Sequence, residues 1–430
     1  MMQPKHFSVK EITKNALPII AASFISIAID LTDSLIIGHY STQTLAGIAI
    51  GITLYELPTN VLLGSLMAVR IMAPRVNSQQ SRETYGIKNV LSFLVPLSAG
   101  IVIVSIGGAV IALHLVDSEL WHEGLCYFIT RIPGLIFQII NTTLVIFLTL
   151  WGRKNIPLLV MVMSAPINVF LDVVLIFGIG VFPELGALGA GIASTFSVCI
   201  PLLVLLPLTW SMASVHVRQE NSAENYHGWQ KMALPAASSA FVDYTGSIIF
   251  VAILSFSGAS ALASVRFGTQ FHIVAYIWVS SFSTAALYVI GKEHDWQQKH
   301  NGVAGIHVIR SLFLGIGVVA AIMVAIVSSL TFVFLAKDTH IIGSYILVSL
   351  IIVLLCPIIG FTYGNVTALR LVGDTRSEFL SNFISVWGSQ IPIAAIFAFS
   401  IGGISPFIGL AGYWIMRAFA THIQVVKNIK

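Results

Sequence analysis

Residues 16–51 read ALPIIAASFISIAIDLTDSLIIGHYSTQTLAGIAIG, and residues 233–268 repeat the pattern as ALPAASSAFVDYTGSIIFVAILSFSGASALASVRFG. A shift of 217 residues superimposes the opening Ala-Leu-Pro of both stretches and places Gly51 on Gly268 without a gap. Further along, Gly152 corresponds to Gly373 at a shift of 221, so the second half is about four residues longer than the first between these two matches. An apolar chain made of two equivalent halves is typical of a membrane transporter.

The composition excludes a soluble globular protein. Apolar residues make up 57% of the 430 residues and charged residues only 9%, with a mean hydropathy of +0.91. Soluble domains carry about a quarter charged residues. Runs of about 20 apolar residues are long enough to cross a bilayer. We predict twelve such spans: 15–38, 45–70, 89–114, 122–150, 156–180, 187–210, 232–257, 262–290, 304–335, 340–369, 377–401 and 405–424.

The spans and the repeat together predict an all-α polytopic membrane protein with twelve transmembrane helices in two six-helix lobes. The first lobe is residues 1–210, a polar cytoplasmic linker is residues 211–230, and the second lobe is residues 231–430. Because six helices precede the linker, helices 1 and 7 enter the membrane from the same side. The lobes are then related by a pseudo-two-fold axis along the membrane normal, with a cleft expected between them.

The basic residues predict the orientation of the chain. All but three of the 22 Lys and Arg residues fall on one side of the predicted membrane, the exceptions being Arg131, Arg266 and Lys337. The positive-inside rule therefore places both termini in the cytoplasm of a plasma (inner) membrane protein. The basic loops are explained by the orientation of the chain in the membrane. We therefore expect a lipid bilayer, and no nucleic acid, as the partner.

Five acids lie inside predicted spans, namely Asp30, Asp33, Glu56, Asp172 and Asp243. A charged carboxylate at the centre of a membrane helix costs roughly 2.5–3.5 kcal/mol. Helices can pack without acids, so acids that carry this cost indicate a function. The alternative is a structural role, in which a protonated acid forms a hydrogen bond between helices. We predict Asp30, Asp243 and Glu56 as possible substrate or cation contacts.

Depth in the membrane suggests that several polar residues of the first lobe meet. Asn168 and Asp172 are four residues apart on one face of helix 5. Asp33, Tyr127 and Ser194 are expected at a similar depth from helices 1, 4 and 6. Two nearby carboxylates in a low-dielectric site cannot easily both ionise, so one is expected to hold a proton near neutral pH. Na⁺ would suit the same oxygen-rich site at Asp33 and Asp172, and the sequence leaves the two ions open.

The chain resembles the multidrug and toxic compound extrusion (MATE) transporters over nearly its whole length. Helix 1 contains IDLTDSLIIGHYSTQTLAGIAIG at residues 29–51, similar to the family's Asp, then Gly, then Leu-Ala pattern. Helix 5 contains NVFLD at residues 168–172, which resembles the family's Asn-x-x-x-Asp motif, and PELGALGAGIAS follows the helix at residues 183–194. TALRLVGDTRS at residues 367–377 resembles the Arg-x-x-Gly-Asp loop of the second half.

The resemblance implies an antiporter that exports drugs or toxic organic cations against H⁺ or Na⁺. In DinF-like members, positions matching Asp33, Tyr127, Asn168 and Asp172 are implicated in coupling to the ion. Ser194 occupies a position where relatives carry a hydroxyl. We therefore predict these five residues as the cation-coupling site, with no other metal and no cofactor.

Two further residues bear on which branch of the family the chain resembles. Pro18 matches a proline at which helix 1 is proposed to bend when the acid is protonated. NorM-like members use an acid in helix 7, where Asp243 lies, together with an acid in helix 10. The corresponding position here, near Ile359, is apolar, so the chain resembles DinF-like members more than NorM-like ones. Asp30 lies one turn before Asp33. It is expected either to join the polar residues around Asp33 or to line the wall of the cleft that faces the drug.

Two other functions compete with a multidrug exporter that we expect to act as a monomer. A lipid-linked oligosaccharide flippase of the same superfamily typically carries basic residues in its cavity, whereas here acids within the spans outnumber Arg five to two. A membrane-embedded enzyme would need a catalytic set such as a DDxxD or HExxH run, and the sequence contains neither.

Overall fold

The computed structural model describes residues 9–76, 83–115, 119–214, 229–255, 259–291, 303–335, 339–401 and 405–429. Every regular element in these ranges is a helix. The elements of the first half are α1 (Val9–Tyr40), α2 (Thr42–Val76), α3 (Glu83–Leu115), α4 (Glu119–Arg131), α5 (Gly134–Leu150), α6 (Asn155–Phe177) and α7 (Ala187–Ser214). Those of the second half are α8 (Trp229–Ser255), α9 (Ala259–Ile290), α10 (Val303–Leu335), α11 (Thr339–Val372), α12 (Thr375–Ser385), α13 (Ile391–Ile401) and α14 (Ser405–Ile429), with a π-helical turn at Val386–Gln390.

Each of the twelve predicted spans coincides with one helix or with an interrupted helix. In the described ranges, nine helices are long and apolar enough to cross a membrane, or ten if the bent pair of α4 and α5 forms one span. The other two predicted spans coincide with α8 and α14, which carry Asp243 and Arg417 respectively. These two helices hold the buried polar groups of the second half described below.

The fourth predicted span is broken rather than continuous. α4 and α5 meet at a bend of 46° on either side of Ile132 and Pro133. Pro133 has no amide hydrogen and leaves a carbonyl of the preceding turn without its helical partner. The Thr195 hydroxyl on α7 donates to the Thr130 carbonyl oxygen at 2.7 Å, which satisfies a backbone acceptor beside the break. A neighbouring helix thus makes the interruption tolerable inside a membrane.

The eleventh predicted span is also irregular. α12 begins after Asp374, whose side chain accepts a hydrogen bond from the Ser377 amide at 3.0 Å and so caps the helix. The π-helical turn then joins α12 to α13. π-Helical turns inside helices occur frequently near functional sites, and this one follows directly on α12, which carries the buried Asn382.

The chain divides into two compact units. The N-terminal unit is Leu17–Trp229, and the C-terminal unit is Gln230–Lys430 together with the residues up to Ala16. The first turns of α1 therefore belong to the C-terminal unit, although the sequence assigns them to the first lobe. Most of the predicted linker, residues 215–228, lies outside the described ranges. The boundaries 1–210, 211–230 and 231–430 stay a prediction.

Close helix packing in each unit depends on glycine. A Cβ on Gly124 of α4 would lie 2.6 Å from the Gly47 carbonyl oxygen of α2. In the C-terminal unit, a Cβ on Gly317 of α10 would lie 2.5 Å from the Cys356 carbonyl oxygen of α11. Small residues let membrane helices approach backbone to backbone, where dispersion replaces the hydrophobic effect as the attraction.

Candidate functional site

One amide group in the N-terminal unit bridges two carboxylates. Asn168 Nδ2 donates to Asp33 Oδ1 at 2.6 Å and to Asp172 Oδ2 at 2.8 Å. Asn168 and Asp172 lie on one face of α6 because they are four residues apart, and α1 supplies Asp33. Asn168 is 1% exposed and Asp172 is fully buried. The structure thus brings together three of the residues predicted from the sequence.

The second oxygen of Asp172 is a buried acceptor without a donor. Among the side chains that the structure describes, none donates a hydrogen bond to Asp172 Oδ1, yet the carboxyl groups of Asp33 and Asp172 lie within hydrogen-bonding reach of each other. Two ionised carboxylates have no hydrogen to share, so a bond between them forms only when one carries a proton. The geometry therefore has room for one added proton between the two acids.

A serine that the sequence reasoning missed completes this arrangement. The Ser197 hydroxyl on α7 donates to Asn168 Oδ1 and thereby orients the amide so that its NH₂ group faces the acids. The predicted hydroxyl was that of Ser194, three residues earlier. Ser197 lies nearly one turn further along the same helix, and this i, i+3 relationship was the available signal. We call Asp33, Asn168, Asp172 and Ser197 the Asn168 cluster.

Tyr127 and Ser194 form a contact beside the Asn168 cluster. The Tyr127 side chain is 7% exposed and lies beside the Ser194 side chain. Arg131, one turn after Tyr127 on α4, donates through Nη1 to the Ser194 carbonyl oxygen at 2.8 Å. Its guanidinium also lies over the Tyr55 ring, 4.6 Å from the ring centroid. In the sequence, Arg131 stands out only as an exception to the positive-inside rule.

Arg131 is the cation that acts on the Asn168 cluster. Its positive charge interacts with both Asp33 and Asp172. Arg131 is the last residue of α4 and lies four residues after Tyr127, so both side chains share the helix face that meets α7 at Ser194. A fixed guanidinium near two carboxylates favours their ionised forms and opposes the effect of burial.

The C-terminal unit holds a second buried polar group, built around Asn382 of α12. Asn382 Nδ2 donates to Asp243 Oδ1 at 2.9 Å and to Ser239 Oγ at 3.0 Å, both on α8. The Tyr413 hydroxyl on α14 donates to Asn382 Oδ1 at 2.9 Å and accepts a hydrogen bond from Arg417 Nη1. We call Asp243, Asn382, Tyr413 and Arg417 the Asn382 cluster.

The remaining predicted residues take the following positions. Glu56 lies in α2, where its carbonyl oxygen accepts a hydrogen bond from Asn60 at 2.9 Å. Asp30 lies in α1, but its side chain is outside the described ones. Pro18 lies inside α1, two residues beyond the border between the units. The described residues contain no group of three or more His, Cys, Asp or Glu side chains arranged to hold a metal ion.

The chain is similar to known transporters in both sequence and structure. The family model MatE matches residues 18–174. The chain is 22% identical to a probable multidrug resistance protein NorM of Thermotoga maritima over 418 residues, which cover 95% of this chain and 90% of the relative. It is 23% identical to the uncharacterized transporter YisQ of Bacillus subtilis, over 89% of this chain and 85% of the relative.

Solved structures with the same fold cover the whole length. A mutant of the Vibrio cholerae MATE transporter VcmN has a TM-score of 0.80 at 15% identity, covering 97% of this chain and 96% of its own. The eukaryotic MATE transporter AtDTX14 has a TM-score of 0.79 at 17% identity, covering 97% and 95%. These similarities confirm the predicted all-helical, two-lobe membrane fold.

Proposed function

The chain belongs to the MATE family of membrane transporters, and from this premise we propose that it is an antiporter that exports amphipathic, cationic organic compounds. Members of this family are transporters, so the membrane-embedded enzyme is set aside. The relatives named as probable multidrug resistance proteins support a drug-like substrate over a lipid-linked oligosaccharide. The proposed setting is an inner membrane, with both termini in the cytoplasm and a monomer as the working unit.

The coupling ion in this proposal is a proton held by the Asn168 cluster. The observation that carries it is the pair of acids bridged by Asn168, with one buried oxygen left without a donor. Asn168 turns its hydrogens towards both carboxylates, and hydrogens repel a metal cation. A proton between Asp33 and Asp172 supplies the missing donor, whereas Na⁺ would need the amide oxygen that Ser197 occupies.

Helix 1 is proposed to transmit protonation to the substrate path by bending near Pro18. Pro18 removes one helical hydrogen bond, and the assignment of α1 to the two units changes between Ala16 and Leu17. A hinge at Pro18 would move the part of α1 that carries Asp33 without unfolding it. Related structures described as the bent form of VcmN and as a straight MATE conformation support two shapes for this fold. This mode of coupling makes the chain DinF-like rather than NorM-like.

The proposal predicts that α1 moves relative to α6 when the acids bind a proton. Spin labels at Ile27 on α1 and Val162 on α6 should report different distance distributions at pH 8 and pH 6. The proton shifts the two shapes only if it binds them with different affinity. The same pair of labels in an Asp33→Asn background is the control, and its distribution should not change with pH. An unchanged distribution in the otherwise unmodified protein, with proton uptake demonstrated in that range, would contradict the bend.

Transport by the purified protein in liposomes tests the function itself. A fluorescent organic cation such as ethidium serves as the probe, and inward H⁺ and Na⁺ gradients are imposed separately. We expect the H⁺ gradient to drive ethidium movement at least tenfold faster than in empty liposomes, and the Na⁺ gradient to leave it near background. Collapse of the pH gradient by an ionophore should stop the flux. Flux that follows only the Na⁺ gradient would overturn the proton assignment, and the absence of flux under both gradients would count against export of organic cations.

A further inference from the structure

The two units contain clusters of the same chemical groups. In each cluster an Asn side chain donates to a carboxylate, and a Tyr and an Arg four residues apart on one helix lie beside the Asn168 cluster and within the Asn382 cluster. The sequences are YFITR at residues 127–131 on α4 and YWIMR at residues 413–417 on α14. The internal repeat does not relate these segments, since a shift of 221 would place Tyr413 on Ile192. The two sites differ in the ratio of acids to arginines.

The Asn168 cluster has two acids, and in the described part of this site Arg131 is the one arginine beside them. Asp33 and Asp172 interact with each other and with Arg131, and Tyr127 and Tyr55 are the neighbouring phenols. Phenols are neutral at physiological pH. In the described part of this site the formal charge with both acids ionised is therefore minus one.

The Asn382 cluster is balanced. Arg417 is 5% exposed and its charge interacts with Asp243, while the guanidinium also lies 5.4 Å from the centroid of the Tyr413 ring. The nearest further acid, Glu378, is held by Arg370 through bonds of 3.0 Å and 2.6 Å. In the described part of this site two acids face two arginines, and the formal charge is zero.

We infer that Arg131 sets the N-terminal site to take up one cation in each transport cycle, and that Arg417 holds Asp243 as a compensated carboxylate that takes up none. The inference rests on the proposed function and adds the stoichiometry and the residues that determine it. A buried site of charge minus one becomes neutral with one proton. A buried pair that is already neutral gains nothing from a proton, because protonation of Asp243 would leave Arg417 uncompensated.

Arg131 is thus a positioning residue that acts through the charge it places beside the acids. Without it, the two carboxylates would bring two negative charges into a low-dielectric site, and both would be expected to bind a proton. Lysine at the same position keeps the charge but loses the planar fork that contacts Ser194 and the Tyr55 ring. Charge and packing can therefore be separated by comparing Arg131→Gln with Arg131→Lys.

The experiment counts protons by infrared difference spectroscopy between alkaline and acidic buffers, on the full-length protein purified in detergent. Buried carboxyl groups that gain a proton give a C=O band that carboxylates lack. We expect one such band in the unmodified protein, none in Asp33→Asn or Asp172→Asn, and an unchanged band in Asp243→Asn. Each single Asn variant of the N-terminal site leaves one carboxylate beside Arg131. The net charge of that site is then zero without an added proton.

Two variants at Arg131 give the sharpest test. Arg131→Gln should show two bands, Arg131→Lys one, and the double variant Asp33→Asn, Arg131→Gln should regain the single band that Asp33→Asn lost. Size-exclusion chromatography shows whether each variant is folded, and if Arg131→Gln is not folded the double variant decides the question. Two bands in the unmodified protein, or loss of its band in Asp243→Asn, would overturn the inference. Failure of ethidium transport in liposomes would instead count against the proposed function and leave the proton count untouched.

Discussion

Replacing Asp33 by Asn should reduce proton-driven export of ethidium to the level of empty liposomes, while the protein still folds and inserts. The substituted side chain keeps its shape and can still accept the hydrogen bond from Asn168 Nδ2 that spans 2.6 Å in the present structure. The Asn side chain cannot bind and release a proton, so the proton gradient cannot drive transport through this site. Loss of a membrane-embedded charge also removes a cost of roughly 2.5–3.5 kcal/mol, so stability should not fall.

The measurement is the initial rate of ethidium movement at equal amounts of reconstituted protein. Glu11→Gln is the matched control, since Glu11 is an exposed acid on the same helix, near its start. This variant should transport within about twofold of the unmodified protein, because surface changes usually alter little. Full proton-driven transport by Asp33→Asn would show that coupling does not pass through this acid.

Replacing Gly317 by Leu should abolish folding of the C-terminal unit. A Cβ at this position would lie 2.5 Å from the Cys356 carbonyl oxygen and 3.1 Å from the Gly360 Cα of α11. The obstacle is backbone, which cannot turn aside as a flexible side chain can, so α10 and α11 would have to separate. Overpacking typically costs about 1–3 kcal/mol and more where the backbone must move. The expected result is aggregation, or a large loss of the monodisperse peak in size-exclusion chromatography.

Gly315 provides the control on the same helix. A Cβ there would meet no atom within 4 Å, so Gly315→Leu adds the same side chain two residues away without a clash. This variant should purify in normal amounts and melt within a few degrees of the unmodified protein. Equal thermal stability of the two leucine variants would show that the contact between α10 and α11 is not tight.

The core of the Asn168 cluster could be predicted because its residues carry strong signals. An acid inside an apolar span is rare, and the four-residue spacing of Asn168 and Asp172 fixes their common face on any helix. Depth along helix 1 then places Asp33 at the same level. Ser197 was missed because serine is common in membrane helices, and a depth estimate several residues wide cannot separate it from Ser194.

The arginines were harder to predict because their roles depend on tertiary geometry. Arg131 ends a helix that breaks at Pro133, and the sequence predicted one continuous span there. For Asp243 the sequence predicts a partner in the tenth span, which is α11 of the structure. The residue at that position is the apolar Ile359, which is fully buried. The partners lie instead on α12 and α14, and only the packing of these helices against α8 brings them to the acid.

The assignment of the first turns of α1 to the C-terminal unit has a consequence for synthesis on the ribosome. Ile12 and Ala16 are 1% and 0% exposed, and the unit that contains them is otherwise made of Gln230 and later residues. At about 5–20 residues per second, translation takes roughly 10–40 s to pass from residue 16 to residue 230. During that interval the start of the first helix lacks the rest of the unit to which it belongs, so its packing is completed only after the second half of the chain has been made.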